Sequence, residues 1–187
     1  MSYKKIILIC FCLMVVLQLW TPAAMIWNQE AVLKTGKAFK FRSAPVDPND
    51  PFRGKYINLS FDENTFKMNA PTVLQSGENI YVLLSNDSAG YAKIISVQSA
   101  NPNSSTDFIK AKVNYFVNDS TRQVFIEWPF NRFYMDEAKA YDAEKVYVKS
   151  AANSNSITYA LVKVKNGEAV LENVFINNKP IASYIKK

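Results

Sequence analysis

Residues 157–176 read ITYALVKVKNGEAVLENVFI. Two strand-like runs, Ile157–Lys165 and Glu168–Ile176, flank Asn166-Gly167. A type I′ turn needs φ > 0 at both central residues, and Asn and Gly reach that region at least cost. The segment therefore predicts an antiparallel hairpin. Working outward, Asn177-Asn178-Lys179-Pro180 is expected to turn the chain into a last short strand, Ile181–Ile185. Upstream, the alanines and charges of Asp136–Ala152 predict one short helix before a strand around Val146–Lys149. Further back, Ile109–Val117 puts Ile109, Ala111, Val113, Tyr115 and Val117 on one face, and Asn118-Asp119-Ser120 turns it into Gln123–Trp128. Asn79–Ser85 and Tyr91–Val97 are apolar runs joined by the turn residues Asn86-Asp87-Ser88-Ala89-Gly90. Tyr56–Phe61 alternates well, and Lys37–Arg42 alternates poorly. Short turns between strand-like runs make the class mainly β: an antiparallel β-sandwich or open barrel with one short helix.

Ahead of these strands lies a different kind of sequence. Lys4 and Lys5 precede an uncharged run that continues to Gln29, and Ile6–Trp27 supplies 22 residues where about 20 span a bilayer. Trp20 and Trp27 suit the headgroup level. A cleaved signal peptide is the rival, with Ala23-Ala24 as its site. Pro22 sits awkwardly there, and the apolar run is long for such a leader. Residues 1–29 are thus read as an N-terminal transmembrane anchor that meets membrane lipid through residues 6–27. Residues 30–187 form one β domain, reached through a short interfacial stretch at 29–36. A five-residue basic tail normally stays inside, and a long domain translocates regardless of its charge. The expected location is the inner (cytoplasmic) membrane, single-pass, with the C-terminal domain outside the cytoplasm.

Composition narrows the chemistry. The 187 residues include no His, and the only cysteines, Cys10 and Cys12, lie in the anchor. Ser-His-Asp and Cys-His catalysis, His-ligated metals and a disulfide framework are excluded. Removing Lys4 and Lys5 from the 22 basic residues leaves 20 against 16 acidic, a net of +4 for the domain. No basic block exceeds two residues, so the charge reads as solvated surface, and no nucleic-acid motif is present.

The densest segment runs from Ala44 to Phe61, APVDPNDPFRGKYINLSF. Pro45, Pro48 and Pro51 force extended or turn backbone. Asp47 and Asp50 can cap their own downstream N–H groups, and Arg53 can fork across either carboxylate. Gly54 lets the chain enter a strand at a φ closed to other residues. Asp47 and Asp50 could also offer oxygens to calcium, but no third acidic ligand is near, so no metal and no cofactor is assigned. The run Asp47-Pro48-x-Asp50-Pro51-Phe52-Arg53-Gly54-x-Tyr56-x-x-Leu59-x-Phe61 resembles the bacterial family named for its GDYXXLXY motif. Here Lys55 stands at the motif Asp and Phe61 at its final Tyr. Asn131-Arg132-Phe133-Tyr134-Met135-Asp136-Glu137 is similar to that family's aromatic-then-acidic block. The resemblance implies a membrane-anchored protein and carries no activity; Lys55 argues against any role needing a carboxylate there. Asp47, Pro48, Asp50, Pro51, Arg53, Gly54, Tyr56 and Leu59 are the motif residues.

An anchored β chain with Arg53-Gly54-x-hydrophobic also resembles signal peptidases. That implies a Ser-Lys dyad, with Ser43 the nearest serine, but the Ser-Met-x-Pro box is missing and Lys55 replaces the Asp. The leading expectation is a non-enzymatic accessory or interaction module for a polytopic membrane protein. Its contact surface is read at Phe130, Arg132, Phe133, Tyr134 and Glu137, because Pro129 breaks strand pairing and aromatics with Arg dominate interfaces; the rival reading is that these aromatics simply close the core, and their solvent exposure decides between the two. The alternatives are a Ser-Lys-type hydrolase and a small-ligand binding domain lined by Tyr115, Phe116, Phe125, Trp128, Phe130, Phe133 and Tyr134.

Overall fold

The computed structural model describes residues 3–44, 56–68, 74–102, 106–117, 121–153 and 155–185. The apolar run is one helix, α1, Tyr3–Thr35. Its 33 residues extend about 50 Å at 1.5 Å per residue, more than a bilayer core of about 30 Å requires. It is long and apolar enough to cross a membrane, and its apolar window is unburied. Pro22 sits within it; the missing N–H leaves a carbonyl free one turn back, and the Thr21 hydroxyl donates to the Leu17 carbonyl at 3.3 Å. The stretch at 29–36, read as amphipathic or interfacial, continues the helix as far as Thr35. Glu30, Ala31, Leu33 and Lys34 are good helix formers, and Lys34 pairs with Glu30 at 3.2 Å one turn away.

The helix end is packed onto the domain. Val32 is buried, and the Gly36 N–H donates to the Val32 carbonyl at 2.8 Å. The Lys165 amine donates to Thr35 Oγ1 at 2.7 Å. A Cβ at Gly36 would overlap the Val32 carbonyl oxygen and lie 3.1 Å from the Val164 nitrogen. Both neighbours are backbone, so the helix must shift. Gly36→Ala is expected to cost about 1–2 kcal/mol by overpacking, read as a lower melting temperature in detergent and faster proteolysis at Thr35–Lys37. Unchanged melting would show that α1 is not seated on the sheet.

Eleven strands are described: β1 Lys37–Arg42, β2 Tyr56–Asn58, β3 Thr65–Lys67, β4 Asn79–Asn86, β5 Ala92–Gln98, β6 Phe108–Val117, β7 Gln123–Glu127, β8 Arg132–Tyr134, β9 Thr158–Lys165, β10 Glu168–Ile176 and β11 Lys179–Pro180. A second helix, α2, spans Glu137–Ala151. The strands pair antiparallel in the orders β3-β7-β6-β4-β5, β1-β9-β10-β11 and β2-β8. Single bridges at Lys40–Tyr91, Ile109–Gly167 and Ser43–Phe61 draw these sheets into a nearly closed barrel. Phe41, Phe61, Trp128 and Phe130 fill its interior ring against ring.

The 157–176 hairpin forms as expected, with Asn166 at φ 52° and Gly167 at φ 85°. The last strand does not. Asn177 and Asn178 also lie at positive φ, but only Lys179–Pro180 pairs with β10, and Ile181–Tyr184 winds into a 3-10 turn that buries Ile181. The strand expected at Val146–Lys149 is the second half of α2. Ala140, Ala143, Tyr147 and Ser150 recur at helical spacing, and all four are buried. Asp136 caps this helix by accepting from the Ala138 N–H at 3.1 Å. Tyr115, read as inward, is 46% exposed. A β-bulge at Asn114 inserts one residue, and an odd insertion moves the following side chain to the other face.

Candidate contact surface

Strand β1 leads from the helix end at Gly36 to Ser43, so the segment after Ala44 starts at the end of β1 opposite α1. Six strand residues span about 20 Å. Ala44 closes that end by donating its N–H to the Ser60 carbonyl at 2.9 Å. Asp47, Pro48, Asp50, Pro51, Arg53 and Gly54 lie outside the described residues. The chain is described again at Tyr56, where β2 pairs with β8 in the register Tyr56–Tyr134, Ile57–Phe133 and Asn58–Arg132.

This short ribbon sorts its residues by face. Ile57 points into the core; Tyr56 and Tyr134, directly opposite each other, pack with ring centroids 5.5 Å apart and planes tilted by 56°. The Arg132 guanidinium sits 5.1 Å over the Tyr56 ring. Such cation–π pairs add about 0.5–1 kcal/mol at exposed sites. Tyr134 is 65% exposed, and Arg132 is exposed beside it. Phe133 is half-buried against the core. Phe130 is not on this surface: at 3% exposure it stacks on Trp128 at 5.4 Å and packs against Phe41 at 4.9 Å. Pro129 lets the chain dive back inside before β8 emerges. Glu137 opens α2, next to the capping Asp136. Leu59 is buried and donates its N–H to the Asn131 carbonyl at 2.8 Å, tying the motif strand to the loop before β8. Tyr56 was legible only as a motif residue; its place on the exposed face follows from the pairing with β8.

Behind the ribbon lies a polar cluster that the sequence did not point to. Tyr147, from α2, reaches the core, and its hydroxyl lies 3.4 Å from the Ser60 N–H, which donates to it. Burial pushes the Tyr147 phenol above its ordinary range. Burial likewise raises the Asp62 carboxyl, with the Arg42 guanidinium pulling the other way. Ser43 is 7% exposed, and its hydroxyl lies near the Tyr147 phenol, opposing the effect of burial on that group. A hollow of about 230 Å³ opens beside it, lined by Arg42, Asp62, Asn153, Ser156 and Thr158. Among the described residues, no lysine lines that hollow. No group of three or more Cys, Asp or Glu among the described residues could hold a metal ion.

The seven aromatics expected to form one groove are dispersed. Trp128 and Phe130 belong to the core, Tyr115 stacks on Phe125 at 3.9 Å on the outer face, and Tyr134 is at the ribbon. The Trp128 indole is committed internally, donating to the Glu63 carbonyl at 3.0 Å.

Fold and surface together define a class: a barrel-like antiparallel β domain carried on one long N-terminal apolar helix. The chain matches the family described as GDYXXLXY protein over residues 18–174. That span takes in the second half of the helix and nearly the whole β domain, so the chain belongs to this family. No curated protein and no solved structure matches it.

Proposed function

We propose that the protein is a single-pass envelope membrane protein whose β domain, outside the cytoplasm, docks on a polytopic membrane protein held in the same bilayer. The observation that carries this reading is the ribbon of Tyr56, Arg132 and Tyr134. It presents two packed tyrosine rings and a cation at the strand that carries the last part of the family motif. Aromatics and Arg are the side chains that most often dominate binding energy. The helix supports the choice of partner, because a tethered domain meets proteins of its own membrane at high effective concentration. The partner's surface is expected to offer a carboxylate to Arg132 and apolar area to Tyr134.

Location is tested first. A C-terminal reporter that works only outside the cytoplasm should be active, with the full-length mass retained; a mature N-terminus near Met25 would remove the anchor. Docking is tested by purifying the full chain from detergent with its bound partner. Arg132→Ala with Tyr134→Ala should lower partner recovery about tenfold while the domain stays folded, with a melting temperature lowered by no more than the lost ring contacts, about 1 kcal/mol, account for. Undiminished recovery would overturn the reading.

A further inference from the structure

One residue of α1 is out of keeping with a helix that faces only lipid. From Ile6 to Trp27 the only hydroxyl or carboxamide side chains are Gln18 and Thr21. Gln18 lies near the middle of that run, about 14–18 Å from its ends, too deep for its side chain to reach the headgroups. Thr21 spends its hydroxyl on its own helix, at 3.3 Å from the Leu17 carbonyl. Gln18 is exposed, and its carboxamide has no hydrogen bond among the described residues. Pro22, the next turn along, has no N–H to give the Gln18 carbonyl. A carboxamide that both donates and accepts thus sits beside a spare main-chain acceptor. In hydrocarbon an unmet polar group is costly, and polar side chains there hydrogen-bond across to a second helix.

The fold restricts which helix that can be. At about 100° per residue, Val32 lies about 40° from Gln18 around the axis, and Leu33 lies about 60° to the other side. Val32 is buried and Leu33 half-buried where the helix end meets β9 and β10. The β domain therefore overhangs the Gln18 side of α1. A helix packed on that side has to stop at the bilayer surface, beneath the domain. A second copy of this chain fails that condition, because its helix runs on to Thr35 and into its own domain. A spanning helix that ends in a short external loop meets it, and such helices belong to polytopic proteins.

We propose that Gln18 hydrogen-bonds a Ser, Thr, Asn or Gln side chain on a transmembrane helix of the polytopic partner. The partner is then gripped inside the bilayer, at a place remote from the Tyr56–Arg132–Tyr134 ribbon. The contact rests on the reading of α1 as a spanning helix beside a polytopic protein, but not on the ribbon.

The test is photocrosslinking of the full chain in native membranes. A benzophenone amino acid is placed at Met14 or Met25, on the Gln18 side, and at Val16 or Trp20, on the opposite side. Met14 and Met25 should give one discrete adduct, and Val16 and Trp20 at least about tenfold less of it. Mass spectrometry of the joined peptide should show a spanning segment with Ser, Thr, Asn or Gln near its middle. Gln18→Leu should lower the adduct about tenfold while alkaline carbonate still leaves the chain in the membrane. Equal adducts from both sides, no adduct, an all-apolar joined segment, or an adduct made only of this chain overturns the contact. So does an adduct that survives Gln18→Leu; the ribbon reading then stands or falls on Arg132→Ala with Tyr134→Ala alone. Release of the parent chain by carbonate removes the spanning reading itself, and this contact with it.

Discussion

Phe41→Ala is expected to destabilise the domain by about 3–5 kcal/mol, the usual cost of truncating a fully buried aromatic ring. Phe41 is fully buried, and its ring meets Phe61 at 5.6 Å, Trp128 at 5.2 Å and Phe130 at 4.9 Å. Those partners come from the motif strand and from the segment just after β7. One ring therefore joins the four-stranded sheet to elements distant in sequence. Its loss leaves a cavity that three rigid rings cannot close, since each already packs on another. A domain with about 5–15 kcal/mol of stability would lose a large share of it. The denaturant midpoint should fall, and the slope should stay near that of the parent. Tyr134→Ala, on the exposed ribbon, should stay within about 0.5 kcal/mol of the parent. Equal effects would show that Phe41 is not the centre of the core.

Gly167→Val is expected to cost about 2–4 kcal/mol, from two sources. Gly167 sits at φ 85°, where a β-branched residue is strained. A Cβ there would also come within 2.5 Å of Phe108 Cε2 and 3.1 Å of the Lys110 side chain. The Gly167 carbonyl accepts from the Lys110 N–H at 2.9 Å, which bonds the tip of the β9–β10 hairpin to β6. Gly90 separates the two sources. It lies at φ 81°, but a Cβ there would meet nothing within 4 Å. Gly90→Val should therefore show the strain alone, and the difference between the two melting temperatures measures the contact with Phe108. If the two variants melt together, the contact across the barrel contributes nothing.

Much of the local structure was legible. Asn166-Gly167 named its hairpin because few residue pairs tolerate two positive φ values in a row. The run Asn86-Asp87-Ser88-Ala89-Gly90 marked the β4–β5 loop, where the Asp87 carboxylate accepts from the Ala89 and Tyr91 N–H groups. In Tyr56–Phe61, Ile57, Leu59 and Phe61 are all buried, as their alternation indicates. The misreadings share a cause. Val146–Lys149 is apolar enough for a strand, and only the burial of Ala140, Ala143 and Tyr147 along one line shows a helix packed by its whole face. Tyr115 fits the alternation of β6 until the bulge, which no local residue announces. Phe130 and Tyr134 look alike in sequence, yet one is core and the other surface.

Local chemistry thus determined the long apolar helix, the turns and most strand segments, because φ preferences and a two-residue period act within a few neighbouring residues. Family membership was legible too, in the motif around Gly54 and Tyr56. Tertiary structure alone decided which strands pair and which aromatic faces solvent. It also decided that Ser43 is buried, beside a hollow lined by Arg42 and Asp62. Those outcomes rest on contacts between residues many positions apart. Their energies depend on which surfaces the barrel closes, and a one-dimensional pattern does not carry that information.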